Sequence, residues 1–223
     1  MKEKICIIGS SSTVSKELIN LIDNDSNEII TIGRNSDDTI YLNIDFNTAD
    51  KINNIPLDCE RYIITLGYLI PKKITEQTNE ESLNSMAINL LFPVRLIEKI
   101  LEVNKKARIV ILGSESGFKG SFDTSYFIAK AGLSSYIREK HIKYPKQQLV
   151  MVAPSVILDT KMTQERDDLE LVIQRAKDLP KQRYLMSKEV AEAIYFLLYV
   201  DKGYINNEII NINGGKFARM KYL

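Results

Sequence analysis

A tyrosine four residues before a lysine on a helix shares a face with it, and the ammonium favours the phenolate. The pair can therefore give and take a proton. The chain carries four such pairs: Tyr68/Lys72, Tyr126/Lys130, Tyr136/Lys140 and Tyr184/Lys188. With 11 tyrosines and 21 lysines in 223 residues, chance alone supplies about one, so context has to choose. Pro71 stands between Tyr68 and Lys72 and breaks any regular helix there. Tyr184 precedes a helix that Ser187 opens. Tyr136 lies ten residues beyond Tyr126 on one helical pattern, roughly 15 Å further along it. Tyr126 falls near the start of that helix, and Ser114 closes the strand before it. A hydroxyl at Ser114 can polarise a carbonyl that Tyr126 protonates. Ser114, Tyr126 and Lys130 are the candidate catalytic group.

The elements that position them alternate from end to end. Short apolar runs predict strands over 4–8, 28–32, 40–44, 62–66, 108–112, 149–152 and 208–212, several closed by Gly9, Gly67, Gly113 or Pro154. Helical patterns cover 86–103, 125–143 and 187–200, and Ser10, Ser11, Ser12 and Thr13 supply capping chemistry for a first helix through Ile22. Strands alternating with helices predict an α/β fold, a doubly wound, Rossmann-like parallel sheet of about seven strands with helices on both faces. The chain reads as one domain, 1–223. Its patternless stretch, 155–186, is expected to be a substrate loop, and the mixed charges of that loop point to no single substrate charge.

In such a sheet ligands bind beyond the carboxyl ends of the strands, with an anion on the first helix N-terminus. The first turn is Gly9-Ser10-Ser11-Ser12-Thr13-Val14-Ser15, with a single glycine. Its hydroxyls can reach a phosphate, but Thr13 and Ser15 bring Cβ atoms that nucleotide turns usually lack. On its own this turn reads as a helix cap ahead of a nucleotide site. At the end of the second strand stand Gly33 and Arg34. A carboxylate there would select NAD; its absence, with Arg34 able to clamp a 2′-phosphate, points to NADP(H) over NAD(H) if a dinucleotide binds.

Composition narrows the classes. Thirty Lys+Arg against 29 Asp+Glu leave a charge of +1, so no field steers the chain to nucleic acid or an anionic membrane. The apolar run near the N-terminus is too short for a signal peptide, and no run is long enough to span a bilayer, so a cytoplasmic setting is expected. Cys6 is expected to be a small buried hydrophobe. His141, the one histidine, is expected to be exposed at a helix end. Triad chemistry and a histidine-ligated metal are thereby disfavoured.

In these residues the chain resembles the short-chain dehydrogenase/reductase family, in its compact single-domain branch, over nearly its whole length. The segment from Ile111 through Ser114 to Gly117 looks like the family's catalytic-serine segment, and Tyr126 to Leu133 looks like its Tyr-x-x-x-Lys helix. Asn89 falls at the family's fourth catalytic position. Leu66-Gly67 resembles the end of its Asn-Asn-Ala-Gly segment, and Asp45-Phe46 the pair beside the adenine. Pro154 with Thr160 resembles the segment along the nicotinamide, and the run closing at Gly214-Gly215 its last strand. Of the family's glycine turn only Gly9 is kept; Ile8, Thr13 and Ser15 take the other places.

The resemblance implies hydride exchange with NADP(H) on a small-molecule carbonyl or alcohol, a sugar or nucleotide-sugar among the classes. Ser114 would hold the substrate oxygen and Tyr126 exchange the proton. Lys130 would hold the nicotinamide ribose and lower the Tyr126 pKa, with Asn89 anchoring a water. It also implies a homodimer or homotetramer paired through the helices over 86–103 and 125–143. The alternative is a non-catalytic dinucleotide-binding scaffold or sensor on the same fold, which the sparse glycine turn supports.

Overall fold

A computed structural model describes residues 2–218. The seven strands are β1 (Glu3–Ile8), β2 (Asn27–Gly33), β3 (Ile40–Tyr41), β4 (Arg61–Ile64), β5 (Arg108–Leu112), β6 (Gln148–Pro154) and β7 (Ile209–Ile212). All pair in parallel, in the order β3-β2-β1-β4-β5-β6-β7. The sheet grows one way from β1 through β2 and the other way from β4. The crevice at the carboxyl ends of β1 and β4 is therefore the topological switch point.

Both faces are covered, which is why the strands read as unbroken apolar runs. On one face Ile5, Ile7, Ile63, Val110 and Val150 pack against α1 (Thr13–Leu21) and α8 (Ser187–Tyr195). On the other, Cys6, Ile8, Tyr62, Ile64, Ile109 and Met151 pack against α3 (Phe92–Val103) and α5 (Thr124–Glu139). Successive residues alternate between the two layers, as the pleat requires. Cys6 is wholly buried, as expected.

Three of the boundaries that differ from expectation have a clear local reason. The third strand stops at Tyr41 because Asp45 folds the chain into a turn, its Oδ1 accepting from the Asn47 amide at 2.8 Å and the Thr48 hydroxyl at 3.0 Å. The helix expected from 86 begins earlier, as α2 (Asn79–Met86), behind a Thr78/Glu81 capping box. It passes through a π-helical turn, Ala87–Leu91, into α3. Pro93 causes that turn: it has no N–H for the Asn89 carbonyl four residues back, and the Phe92 amide bonds instead to Ala87 O, five residues back. Finally, α5 ends at Glu139, leaving His141 exposed just beyond it.

The expected substrate loop is not structureless. It carries the short helices α6 (Lys161–Gln164) and α7 (Leu169–Gln174) and a 3₁₀ turn, Arg175–Asp178. Its base is closed by a bridge between Ile157 and Leu185 and by Asp159, which accepts from the Ser187 amide and hydroxyl at 2.9 and 2.5 Å. No helix among the described residues is long and apolar enough to cross a membrane.

Candidate active site

The site is built on strand ends. Past β5, Ser114 begins the turn into α4 (Ser116–Lys119), its Oγ accepting from the Ser116 amide at 3.1 Å. Two turns of α5 carry Tyr126 and Lys130, both turned inward: Tyr126 is 6% and Lys130 2% exposed. The Lys130 ammonium donates to Leu66 O, just past β4, at 3.1 Å and to Leu112 O, at the end of β5, at 3.2 Å. It lies 5.7 Å from the centre of the Tyr126 ring. Asn89, fully buried in the π-helical turn, accepts from the Tyr68 amide at 3.0 Å and donates to Tyr68 O at 2.7 Å. One side chain thus pairs with a backbone residue as a neighbouring strand would, and it holds the segment after Leu66-Gly67 in place. The Tyr136/Lys140 pair lies apart from this arrangement. Tyr136 and Lys140 both bond Glu98, tying α5 to α3.

The Tyr126 phenol stands above its ordinary value. Burial pushes it up, the nearby Ser114 hydroxyl opposes that rise, and the charge of Asp123 adds to it. The Lys130 pKa falls to about 8 because its ammonium is buried without a counter-charge.

The first turn is held by hydroxyls. Gly9 has φ +92°, and a Cβ there would stand 2.7 Å from the Thr65 hydroxyl, so glycine is required. Ser12 caps α1 through the Ser15 amide at 3.0 Å. Ser15, at the place of a lost glycine, is buried, with Oγ donating to Gly9 O at 3.1 Å and 2.8 Å from the Thr65 hydroxyl. It turns toward the sheet and leaves the anion-facing side clear. The amides of Thr13 and Val14 precede the helical ladder and point out of the helix N-terminus beside Ser10 and Ser11. These amides and hydroxyls are the groups available to a pyrophosphate, and the Thr13 Cβ is added bulk beside them.

The end of β2 holds a residue that sequence reasoning missed. Asp38 folds back over Gly33, accepting from the Asn35 amide at 2.9 Å and from the Ser10 hydroxyl. A Cβ at residue 33 would collide with both Asp38 Oδ2 and Ser10 Oγ. A carboxylate therefore stands at the end of β2 after all, delivered from five residues downstream. No sequence signal gives that reach. Arg34 is exposed beside it.

The remaining residues lie around the same crevice or along its loops. Pro154 O accepts from the Glu115 amide at 2.9 Å, joining β6 to the Ser114 turn. Thr160 opens α6, its hydroxyl bonded to Ile157 O at 3.1 Å. From α6, Met162 Cε reaches to 3.5 Å from the Cβ position of Gly67, so the loop crosses the crevice. Asp45 is occupied by its own turn, and Phe46 beside it is exposed, its amide bonded to Asn84 at 3.0 Å. Among the described residues no cluster of three His, Cys, Asp or Glu could hold a metal.

Residues 61–216 match the family model described as Enoyl-(Acyl carrier protein) reductase. The chain belongs to the short-chain dehydrogenase/reductase family. An acetoacetyl-CoA reductase of Acinetobacter sp. (strain RA3849) is 29% identical over 125 residues, 55% of this chain and 49% of the relative. A 3-oxoacyl-(acyl-carrier-protein) reductase FabG of Haemophilus influenzae is 28% identical over 174 residues, 75% of this chain and 71% of the relative. The chain spans about half the length of several curated relatives that it matches. A solved short-chain dehydrogenase/reductase (glucose/ribitol dehydrogenase) from Brucella melitensis shares a TM-score of 0.81 at 20% identity, over 97% of this chain and 99% of that one. ElxO with NADP bound gives 0.79 at 18% identity, over 97% and 99%. At these identities the structures establish the fold alone.

Lys130 makes the stability depend on pH in a defined direction. Its folded pKa, about 8, lies below its ordinary 10.5, so between the two the unfolded chain binds more protons and stability rises with pH. Urea unfolding of the wild type should gain on Lys130→Met from about pH 8 toward 10.5, with a constant offset below pH 8. A pH-independent difference would contradict the buried, unpaired ammonium.

Proposed function

We propose that the chain is an NADP(H)-dependent oxidoreductase that interconverts a carbonyl and an alcohol on a small molecule. The observation that carries this reading is the convergence of Ser114, Tyr126, Lys130 and Asn89 on one crevice at the ends of β4 and β5. The substrate classes to screen are sugars, nucleotide-sugars, small carbonyls and, from the names of the relatives, 3-oxoacyl thioesters.

A bound NADP(H) supplies or accepts the hydride. The Ser114 hydroxyl donates to the substrate oxygen, and the Tyr126 phenol gives or takes the proton there. With a cofactor bound, the Lys130 ammonium would hold the ribose hydroxyls and favour the phenolate. The Asn89 carbonyl, denied the Pro93 donor, anchors the water that links Lys130 to solvent. Gly9, Ser10, Ser11, Ser12, Thr13 and Val14 cradle the pyrophosphate. Asp45 and Phe46 border the adenine, Leu66 and Gly67 the nicotinamide ribose, and Pro154 and Thr160 the nicotinamide. Arg34 meets a 2′-phosphate while Asp38 opposes it, so the preference for NADP(H) is restrained. One observation favours a non-catalytic scaffold instead: Thr13 crowds the pyrophosphate cradle.

We infer also that the chain pairs with itself through the helices over 86–103 and 125–143, on or beside which Leu83, Leu91, Phe122 and Ile128 are exposed. The setting we propose is cytoplasmic.

Tyr126→Phe should lower turnover by about 10²–10⁴-fold with cofactor affinity unchanged, and Tyr136→Phe should retain activity; equal losses would point away from Tyr126. In fluorescence titration NADPH should bind about 10-fold tighter than NADH, a gap within one charge-assisted hydrogen bond. Arg34→Ala should erase the gap and Asp38→Asn widen it. No binding of either cofactor at millimolar concentration would refute the oxidoreductase reading. Light scattering at micromolar concentration should give a dimer or tetramer, and a monomer would remove the pairing.

A further inference from the structure

One carboxylate in the crevice has no place in the chemistry above. Asp123 is 1% exposed and has no ionic partner among the described residues. Burying a carboxylate without a cation is costly unless donors surround it. Four do. Its Oδ1 accepts from the Tyr126 amide at 3.0 Å, the Ser125 hydroxyl at 2.8 Å and Gln77 Nε2 at 2.9 Å. Its Oδ2 accepts from the Ile70 amide at 2.6 Å. The first of these bonds makes it the N-cap of α5, at the end where the helix dipole favours a negative charge.

A cap alone needs one acceptor oxygen, and serine or threonine supplies it. Two of the other bonds go elsewhere, to the segment that follows β4. That segment is also held by Lys130 at Leu66 and by Asn89 at Tyr68. Asp123 adds the third and fourth fastenings, at Ile70 and Gln77. It bonds the amide of Tyr126 with the same oxygen that it gives to Gln77. The height of the phenol above the crevice and the course of the crevice wall are therefore set by one side chain.

We propose that Asp123 is a positioning residue for the acid-base tyrosine: its carboxylate locks the start of α5 to the segment 66–77 and sets an unpaired negative charge beside Tyr126. This rests on Tyr126 as the proton-exchanging group. The charged groups around the phenol are few. On α5 they are Asp123 and Lys130; on the Ser114 turn, Glu115 is paired with Lys216. On the segment after β4, Lys72 is paired with Glu81 of α2, and on α4 Lys119 lies over the Phe217 ring. Asp123 is thus the unpaired anion nearest the phenol, and it raises the phenol's pKa together with burial.

The test needs neither substrate nor cofactor. The phenolate of Tyr126 is read as the ultraviolet difference between each protein and the same protein carrying Tyr126→Phe. Hydrogen exchange of the Ile70 amide reads the fastening. Asp123→Asn should give about tenfold more Tyr126 phenolate at a fixed alkaline pH, because a neighbouring anion is gone. Asp123→Ser, which keeps the cap, should do the same, and both should speed Ile70 exchange by at least tenfold. Asp123→Glu keeps the charge, so its phenolate fraction should match the wild type while Ile70 exchange rises. It also serves if the neutral variants do not fold. Unchanged phenolate in a folded neutral variant, or a Glu variant that behaves as the neutral ones should, would overturn the proposal. So would unchanged Ile70 exchange. A wild type that binds no cofactor would refute the oxidoreductase reading and leave this result standing.

Discussion

An ammonium with no counter-ion among the described residues sits at the centre of the candidate site. Lys130 is held by the carbonyls of Leu66, two residues past β4, and Leu112, the last residue of the neighbouring parallel strand β5. Only a parallel sheet presents carbonyls of adjacent strands side by side at one end. Only a helix crossing that end can lower a lysine between them. The strand order, the entry of α5 after β5 and the burial of the helix face are thus conditions for one pair of hydrogen bonds. The low pKa of Lys130 is the mark of that confinement.

The first turn shows how such a crevice persists after glycines are lost. Ser15 fills the close approach of α1 to the sheet with a hydroxyl that bonds the Gly9 carbonyl and meets Thr65. A glycine allows close packing by absence; this serine achieves it by spending its polar atom inside the turn. Gly9 itself is not replaceable, since its φ is positive and Thr65 lies against it. The pattern of kept and lost glycines follows backbone geometry at each place.

Much of this was legible in the residues. Apolar runs marked the parallel strands because both sheet faces are covered, and the order of Ser114, Tyr126 and Lys130 marked the site because strand ends gather it. What stayed hidden depends on folding back. Asp38 reaches Gly33 only through the turn between them, and the early stop of β3 depends on the side chain of Asp45. Two signals were present and unread. Thr78 with Glu81 announces the start of α2, and Asp123, three residues before Tyr126, announces the cap of α5. Both lie in polar stretches where apolar periodicity is silent.

The excursion between Ile157 and Leu185 leaves the sheet and returns to it at one point, where a single bridge and the Asp159–Ser187 pair close it. Its two ends are neighbours, so its length and content place no demand on the strands below. Insertions there cost little closure entropy. The excursion is a cassette on a fixed frame, and its sequence can be rewritten without moving the strand ends beneath it.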